Sequence, residues 1–304
     1  MTPPASAGRS GFVALIGRPN VGKSTLLNRL VGERMAIVSP RPQTTRTRIT
    51  GIRNLPGAQV VFVDTPGLST GSGKLGRLMV AAADRALEDV DLVCFVAEAT
   101  ESAGRIDASI LERLAAIRAP VYCCLNKVDL VTPRARLLPI IAAYGSRHRF
   151  TEIVPISAER GTNCGPLLDL IVRALPERPP YFPPDALTAE PETFYVAERI
   201  REKVFKFMHE EVPYACAVRV EELVERQRGG GLYIRATIFV EQESQKGIVI
   251  GAGGAMLRSI GSAARRDLER FFGLKTFLEL RVTVRKNWRK DDAALREFGF
   301  LLTS

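Results

Sequence analysis

Gly17, Gly22, Lys23 and Ser24 stand at the spacing G-x-x-x-x-G-K-[ST], which is the spacing of a phosphate cradle. The two glycines allow a sharp turn and a close backbone approach that a side chain would block. Successive N–H groups through Asn20, Val21, Gly22, Lys23, Ser24 and Thr25 then point at one anion. Lys23 brings a cation to β- and γ-phosphates, and the Ser24 hydroxyl is a magnesium ligand. Further on, Asp64-Thr65-Pro66-Gly67 offers a carboxylate able to hold magnesium through water and a Gly67 N–H able to meet a γ-phosphate.

A second constellation suits a base. In Asn126-Lys127-Val128-Asp129, the Asp129 carboxylate is acceptor-only and can take both N1–H and the exocyclic amine of guanine. Adenine presents the opposite pattern there and is rejected. Asn126 can either bond the base or tie the site to the phosphate loop, and the Lys127 stem can lie on the ring face. At Ser157-Ala158 a small residue lets a backbone N–H reach the base oxygen.

These groups need a frame. From residue 11 to about 176, β-rich runs (Phe12–Ile16, Gln59–Asp64, Leu92–Ala97, Val121–Asn126, Ile153–Ser157) alternate with amphipathic segments near 22–32, 75–88, 105–118, 134–146 and 163–175. That alternation predicts an α/β domain, a mostly parallel sheet with helices on both faces. Each chemical group falls at the carboxyl end of a strand, where ligands of such sheets bind.

With four such groups in this order, the chain resembles the translation-factor-like P-loop GTPases. The resemblance implies that the polar, proline-broken stretch Ser39 to Arg48 is a nucleotide-sensing switch, with a threonine on magnesium in the triphosphate state. Thr45 is preferred to Thr44, so Lys23, Thr45 and Gly67 are the implied catalytic groups and Ser24, Thr45 and Asp64 the magnesium set. Leu68 stands where small signalling GTPases carry a water-orienting glutamine, which implies slow intrinsic turnover. In GTPases with that substitution, a loop asparagine like Asn20 helps bind potassium.

Length and charge set the rest. At 304 residues, two domains are expected; 46% apolar content supports real cores, and a net charge of +10 favours a polyanionic partner. The five cysteines form no C-x-x-C pair and read as core thiols in a reducing cytosol. Residues 1–10 read as a frayed tail, and no apolar run is long enough to span a bilayer. Pro176 to Pro184 closes the first domain, giving 11–178 as the nucleotide domain, 179–190 as a semi-rigid linker and 191–304 as a second domain.

The second domain opens on a helical pattern near 192–209, then β-patterned segments near 214–226 and 232–241 joined across Gly229-Gly230-Gly231. Ile248-Val249-Ile250 runs into Gly251-Ala252-Gly253-Gly254 and then a helix. This order matches an α+β K-homology (KH) domain of the prokaryotic type II, whose Gly-x-x-Gly loop clamps a nucleic-acid backbone. Such loops usually carry a cation between the glycines; here there are only Ala252 and Gly253. Phosphate affinity is therefore expected from Arg258, Arg265 and Lys286, within a segment, Arg258 to Lys290, of ten basic and three acidic residues. Trp288, among cations, is the expected stacking partner for a base.

A GTPase domain carrying Gln43-Thr44-Thr45-Arg46, a proline linker and a KH domain resembles the bacterial Era family over nearly the whole chain. Lys286-Asn287-Trp288 and Ala294 to Gly299 extend the likeness. The resemblance implies GTP/GDP and Mg2+ as cofactors, potassium at Asn20, and a monomeric, cytoplasmic GTPase. It further implies binding to the 3′ end of 16S rRNA, assistance in assembling the small (30S) ribosomal subunit, and loose peripheral contact with an anionic membrane. The alternatives are a nucleotide-gated chaperone for another RNA, and a membrane- or cell-cycle-coupled switch.

Overall fold

A computed structural model describes residues 8–39, 41, 44–67, 73–100, 108–226 and 230–300. Its contacts divide the chain into two units, 1–71 with 79–189 and 72–78 with 190–304.

The first unit is a six-stranded sheet in the order β2-β3-β1-β4-β5-β6. The strands are β1 (Arg9–Ile16), β2 (Ile49–Leu55), β3 (Ala58–Asp64), β4 (Leu92–Glu98), β5 (Val121–Asn126) and β6 (Glu152–Pro155); all neighbours are parallel except β2 and β3. Burial on both faces explains the near-continuous apolar runs: Val13 to Ile16 and Leu92 to Val96 are within a few per cent of fully buried. The helices are α1 (Lys23–Val31), α2 (Gly73–Arg85, of which residues 79–85 belong to this unit), α3 (Ala108–Ala115), α4 (Leu137–Gly145) and α5 (Cys164–Ala174). Helix α1 buries Leu26, Leu27, Leu30 and Val31 and stops at Gly32, whose left-handed backbone returns an N–H to the Asn28 carbonyl.

Two readings of the sequence change here. Strand β2 was not anticipated. It is an antiparallel edge strand containing Gly51, whose missing Cβ leaves room for Leu27 and Val31 of α1. Strand β1 starts at Arg9, so Arg9 and Ser10 belong to the sheet and not to a tail; residues 1–7 lie outside the described residues. The proline segment, read as a semi-rigid linker able to pack on a domain, is strapped to the sheet through Tyr181 and Phe182. Gln59 accepts from the N–H groups of Tyr181 and Phe182 and donates to the Phe182 carbonyl. Further along, the Ile52 N–H donates to Leu187, Asn54 to Ala186, and the Thr188 hydroxyl to Thr50.

In the second unit β7 (Ala217–Glu225), β8 (Leu232–Val240) and β9 (Thr276–Val284) form a sheet in that order, β7 antiparallel and β9 parallel to β8. Helices α6 (Glu192–Phe207) and α9 (Ala255–Phe272) pack on each other and on this sheet. The short α7 (Val212–Ala215) precedes β7 where only β-pattern was expected; α8 (Glu243–Ile250) leads into the glycine loop, and α10 (Asp292–Glu297) follows β9. Of the expected hairpin turn, Gly229 lies outside the described residues, as do the switch residues Pro40, Pro42 and Gln43 and the turn residue Leu68.

Candidate nucleotide site and nucleic-acid groove

Strand β1, the glycine loop and α1 place a cavity of about 370 Å³ at the carboxyl ends of the strands. Asn20, Gly22, Lys23, Ser24, Thr25, Thr45, Gly67, Asn126, Lys127 and Asp129 all reach it. Gly22 caps α1 with φ of 99°, and a Cβ there would lie 2.3 Å from the Asn126 amide nitrogen. A Cβ on Gly67 would fall 2.7 Å from the Pro19 nitrogen. Both glycines are therefore required by close approach.

The Lys23 ammonium donates to the carbonyls of Gly17 (3.0 Å) and Arg18 (2.9 Å). Burial lowers its pKa to about 8, while the Asp64 charge pulls the other way. Burial likewise raises the Asp64 carboxyl above its ordinary value, opposed by Lys23 and by the Ser24 and Thr45 hydroxyls. Ser24 donates to Asp64 at 2.8 Å, and Thr45 lies 2.9 Å from Ser24 and 3.3 Å from Asp64. The second Asp64 oxygen, Oδ1, is buried without a hydrogen-bond partner. Two hydroxyls and a carboxylate with an oxygen to spare are the hard oxygen donors that magnesium takes. Thr45 is the threonine brought to this point, while Thr44 lines the cavity farther out.

At the base end Asn126 acts as a clasp. Its amide donates to the Val21 carbonyl (2.8 Å) and its oxygen accepts from the Ala158 N–H (2.9 Å). Of the two roles open to Asn126, this geometry is the tie to the phosphate loop, and it occupies the Ala158 N–H expected at the base oxygen. The Ser157 N–H is likewise spent, on the Thr162 carbonyl. Lys127 is fixed by an ion pair with Glu98 at 2.7 Å. Burial alone would raise the Glu98 carboxyl, but Lys127 and Thr100 hold it below its ordinary value. Asp129 is steadied by Arg160 at 3.5 Å.

Sequence reasoning missed Arg29, whose guanidinium donates to the carbonyls of Ala158 (3.1 Å) and Glu159 (2.6 Å) and so braces the base loop from α1. Its position on the polar face of α1 was the only signal. Val38 and Leu130, also missed, line the cavity with exposed apolar side chains.

In the second unit the glycine loop is a single tight turn. Gly251, Gly253 and Gly254 have φ of 72°, 53° and 78°, and Gly254 caps α9 without any side-chain partner for its first N–H groups. Arg258 donates to the Gly253 carbonyl at 2.7 Å and braces the loop from one turn into the helix. Beyond it a groove of about 450 Å³ runs between α9 and the edge strand β9, lined by Arg258, Arg265, Phe277, Leu278 and Leu280 among others.

Two expected nucleic-acid contacts are not in this groove. Trp288 is fully buried. Its indole N–H donates to the Ala215 carbonyl at 2.8 Å, and its ring packs against Phe298 and Phe300, so it is a core anchor and offers no face to a base. Lys286 is exposed past the far end of β9 and does not line the groove. The basic segment is also partly neutralised: Arg281 pairs with Glu279, Arg285 with Glu297 and Asp291, and Arg289 with Glu241. Among the described residues all five cysteines are unpaired and buried.

Residues 12–127 match the family described as 50S ribosome-binding GTPase, and residues 211–289 match the KH domain. The chain is 53% identical to the GTPase Era of Geobacter metallireducens over 96% of its length and 98% of the relative's. To the GTPase Era of Lacticaseibacillus paracasei it is 50% identical, over 96% of each. Two solved structures are 40% identical and superpose with TM-score 0.92 over 97% of this chain and all of theirs. One is a point variant of Aquifex aeolicus Era bound to GDP·AlF4−, the other an Era in complex with MgGDPNP and nucleotides 1506–1542 of 16S ribosomal RNA.

Proposed function

Because the chain belongs to the Era family of GTPases, we propose that it is a GTP-hydrolysing switch that binds the 3′ end of 16S rRNA and assists maturation of the small ribosomal subunit. One observation carries this reading. A phosphate cradle with a guanine-selective carboxylate and a Gly-x-x-Gly groove occur in one chain, whose 40%-identical relative holds a GTP analogue and 16S RNA together. The nucleotide domain is taken as 11–178, the connecting segment as 179–190 and the KH domain as 191–304.

In this reading Asp129 accepts both guanine donors and the Lys127 stem covers the ring. The N–H groups from Asn20 to Thr25 take the phosphates, with Lys23 leaving the Gly17 and Arg18 carbonyls to meet them. Magnesium, when bound, would be held by Ser24 and Thr45, with Asp64 through water, and would offset the phosphate charge. The Gly67 N–H takes the γ-phosphate, and glycine is needed there because a Cβ would collide with Pro19. Potassium at Asn20 and slow turnover from Leu68 extend the same reading. On the RNA side the uncapped start of α9 faces a phosphate, while Arg258 and Arg265 track the backbone along the groove.

We place the protein with its RNA in the cytoplasm, loose contact with an anionic membrane face being the finer expectation. Among the described residues no single helix is long and apolar enough to cross a bilayer. The test is to crosslink the protein to RNA in cells with GTP hydrolysis blocked and sequence what is bound. Reads concentrated near the 3′ end of 16S rRNA are expected, whereas reads spread over unrelated RNAs would overturn the assignment.

A further inference from the structure

The outer face of the second sheet carries an aromatic row that the glycine loop does not use. Val224, Tyr233 and Phe277 are register partners across β7, β8 and β9. The Tyr233 and Phe277 rings are stacked, 5.7 Å between centroids and 12° from parallel. Arg226 lies over the Tyr233 ring at 4.8 Å, and the Tyr233 hydroxyl donates to Glu279 at 2.7 Å. Tyr233 is thus fixed by a cation, a ring and a carboxylate, and it in turn fixes Phe277.

Phe277 itself is 61% exposed. Tyr233 covers one face of its ring, and β9 is the sheet edge, so the free face looks off that edge. The groove lies there, and Phe277 lines it together with Leu278, Leu280, Arg258 and Arg265. We propose that Phe277 is a base-stacking subsite of the groove: one base of the single strand clamped by the glycine loop turns out over the β9 edge and continues the column Arg226–Tyr233–Phe277. The proposal rests on the RNA-binding reading above.

The size of the patch selects this occupant. The next row of the sheet, Glu222, Arg235 and Glu279, is charged, so the apolar area is about one ring wide. That is far too small for a protein interface and is the footprint of one base. The exposed Arg258 and Arg265 supply the flanking phosphate contacts, and any base has a π-face to offer.

The test uses the full-length protein and an RNA corresponding to nucleotides 1506–1542 of 16S rRNA, with 2-aminopurine placed singly at successive positions along it. Phe277→Ala is expected to weaken binding roughly 5- to 150-fold, leave the salt dependence unchanged, and brighten the probe at one position only. Phe277→Leu keeps apolar bulk but lacks a ring face and should behave like alanine, while Phe277→Trp should hold the RNA. GTP hydrolysis and the thermal midpoint should not move in any of the three. Wild-type affinity in Phe277→Leu overturns the stacking subsite, and if Gly253→Asp still abolishes binding, the groove reading survives it. A wild-type protein that binds no RNA overturns both.

Discussion

Asn126 has one side chain and two jobs, joining Val21 of the phosphate loop to Ala158 of the base loop. Its removal should therefore not resemble removal of Asp129. Asp129→Asn takes away two acceptors for guanine and should cost about 2–6 kcal/mol of GTP binding, one to three for each group left unpaired. Xanthosine triphosphate should recover part of that, because its edge offers the acceptor that the new amide needs. Asn126→Ala should weaken both nucleotides alike, since the clasp is lost whichever base is present. Asn20 calls for a different measurement: hydrolysis should run faster in potassium than in sodium, and Asn20→Ala should erase the difference. Equal rates in the wild-type protein would remove the potassium site and leave the GTPase intact. At this scale most of the nucleotide site was legible, because spacing alone put glycine, lysine, hydroxyl and carboxylate in order. The role of Asn126 was not, since both of its partners are backbone atoms that a sequence does not display.

Among the elements, the turn between α8 and α9 makes the sharpest prediction. A Cβ on Gly253 would meet nothing within 4 Å, and its φ of 53° is one that aspartate tolerates. Gly253→Asp should therefore fold, place a carboxylate where a phosphate is expected, and abolish RNA binding with GTP hydrolysis unchanged. Neutralising Arg258 or Arg265 should each flatten the log–log salt slope by about 0.7 for single-stranded RNA; Lys286→Ala, outside the groove, should leave it where it was. The helix–strand order of this unit was readable from periodicity. Two features were not, and for one reason. Strand β2 carries a glycine and an arginine within its apolar run and is recognisable only by its pairing with β3. Trp288 sits among local cations, but its packing partners Ala217 and Phe239 come from distant elements. Contacts made across the chain leave no trace in a local pattern.

For the whole molecule, division of labour can be read from fragments. Residues 190–304 should bind the RNA alone, and the N-terminal part should bind GTP and no RNA; RNA held by the N-terminal part, with a folded but inert C-terminal part, would reverse the assignment. Where the first fragment ends matters. The strap at 181–188 runs beside β2, the outermost strand of its sheet, and occupies donors and acceptors on Thr50, Ile52 and Asn54. A chain cut at 178 loses that cover and presents a bare template to its neighbours. It should form oligomers that grow with concentration, while a chain cut at 189 stays single, a difference that sedimentation would show. Proline, with no N–H to offer a further strand, stands in the strap at 183 and 184 and just before it at 179 and 180. The segment that reads as a linker in the sequence is also a sheath over the outermost strand of its sheet.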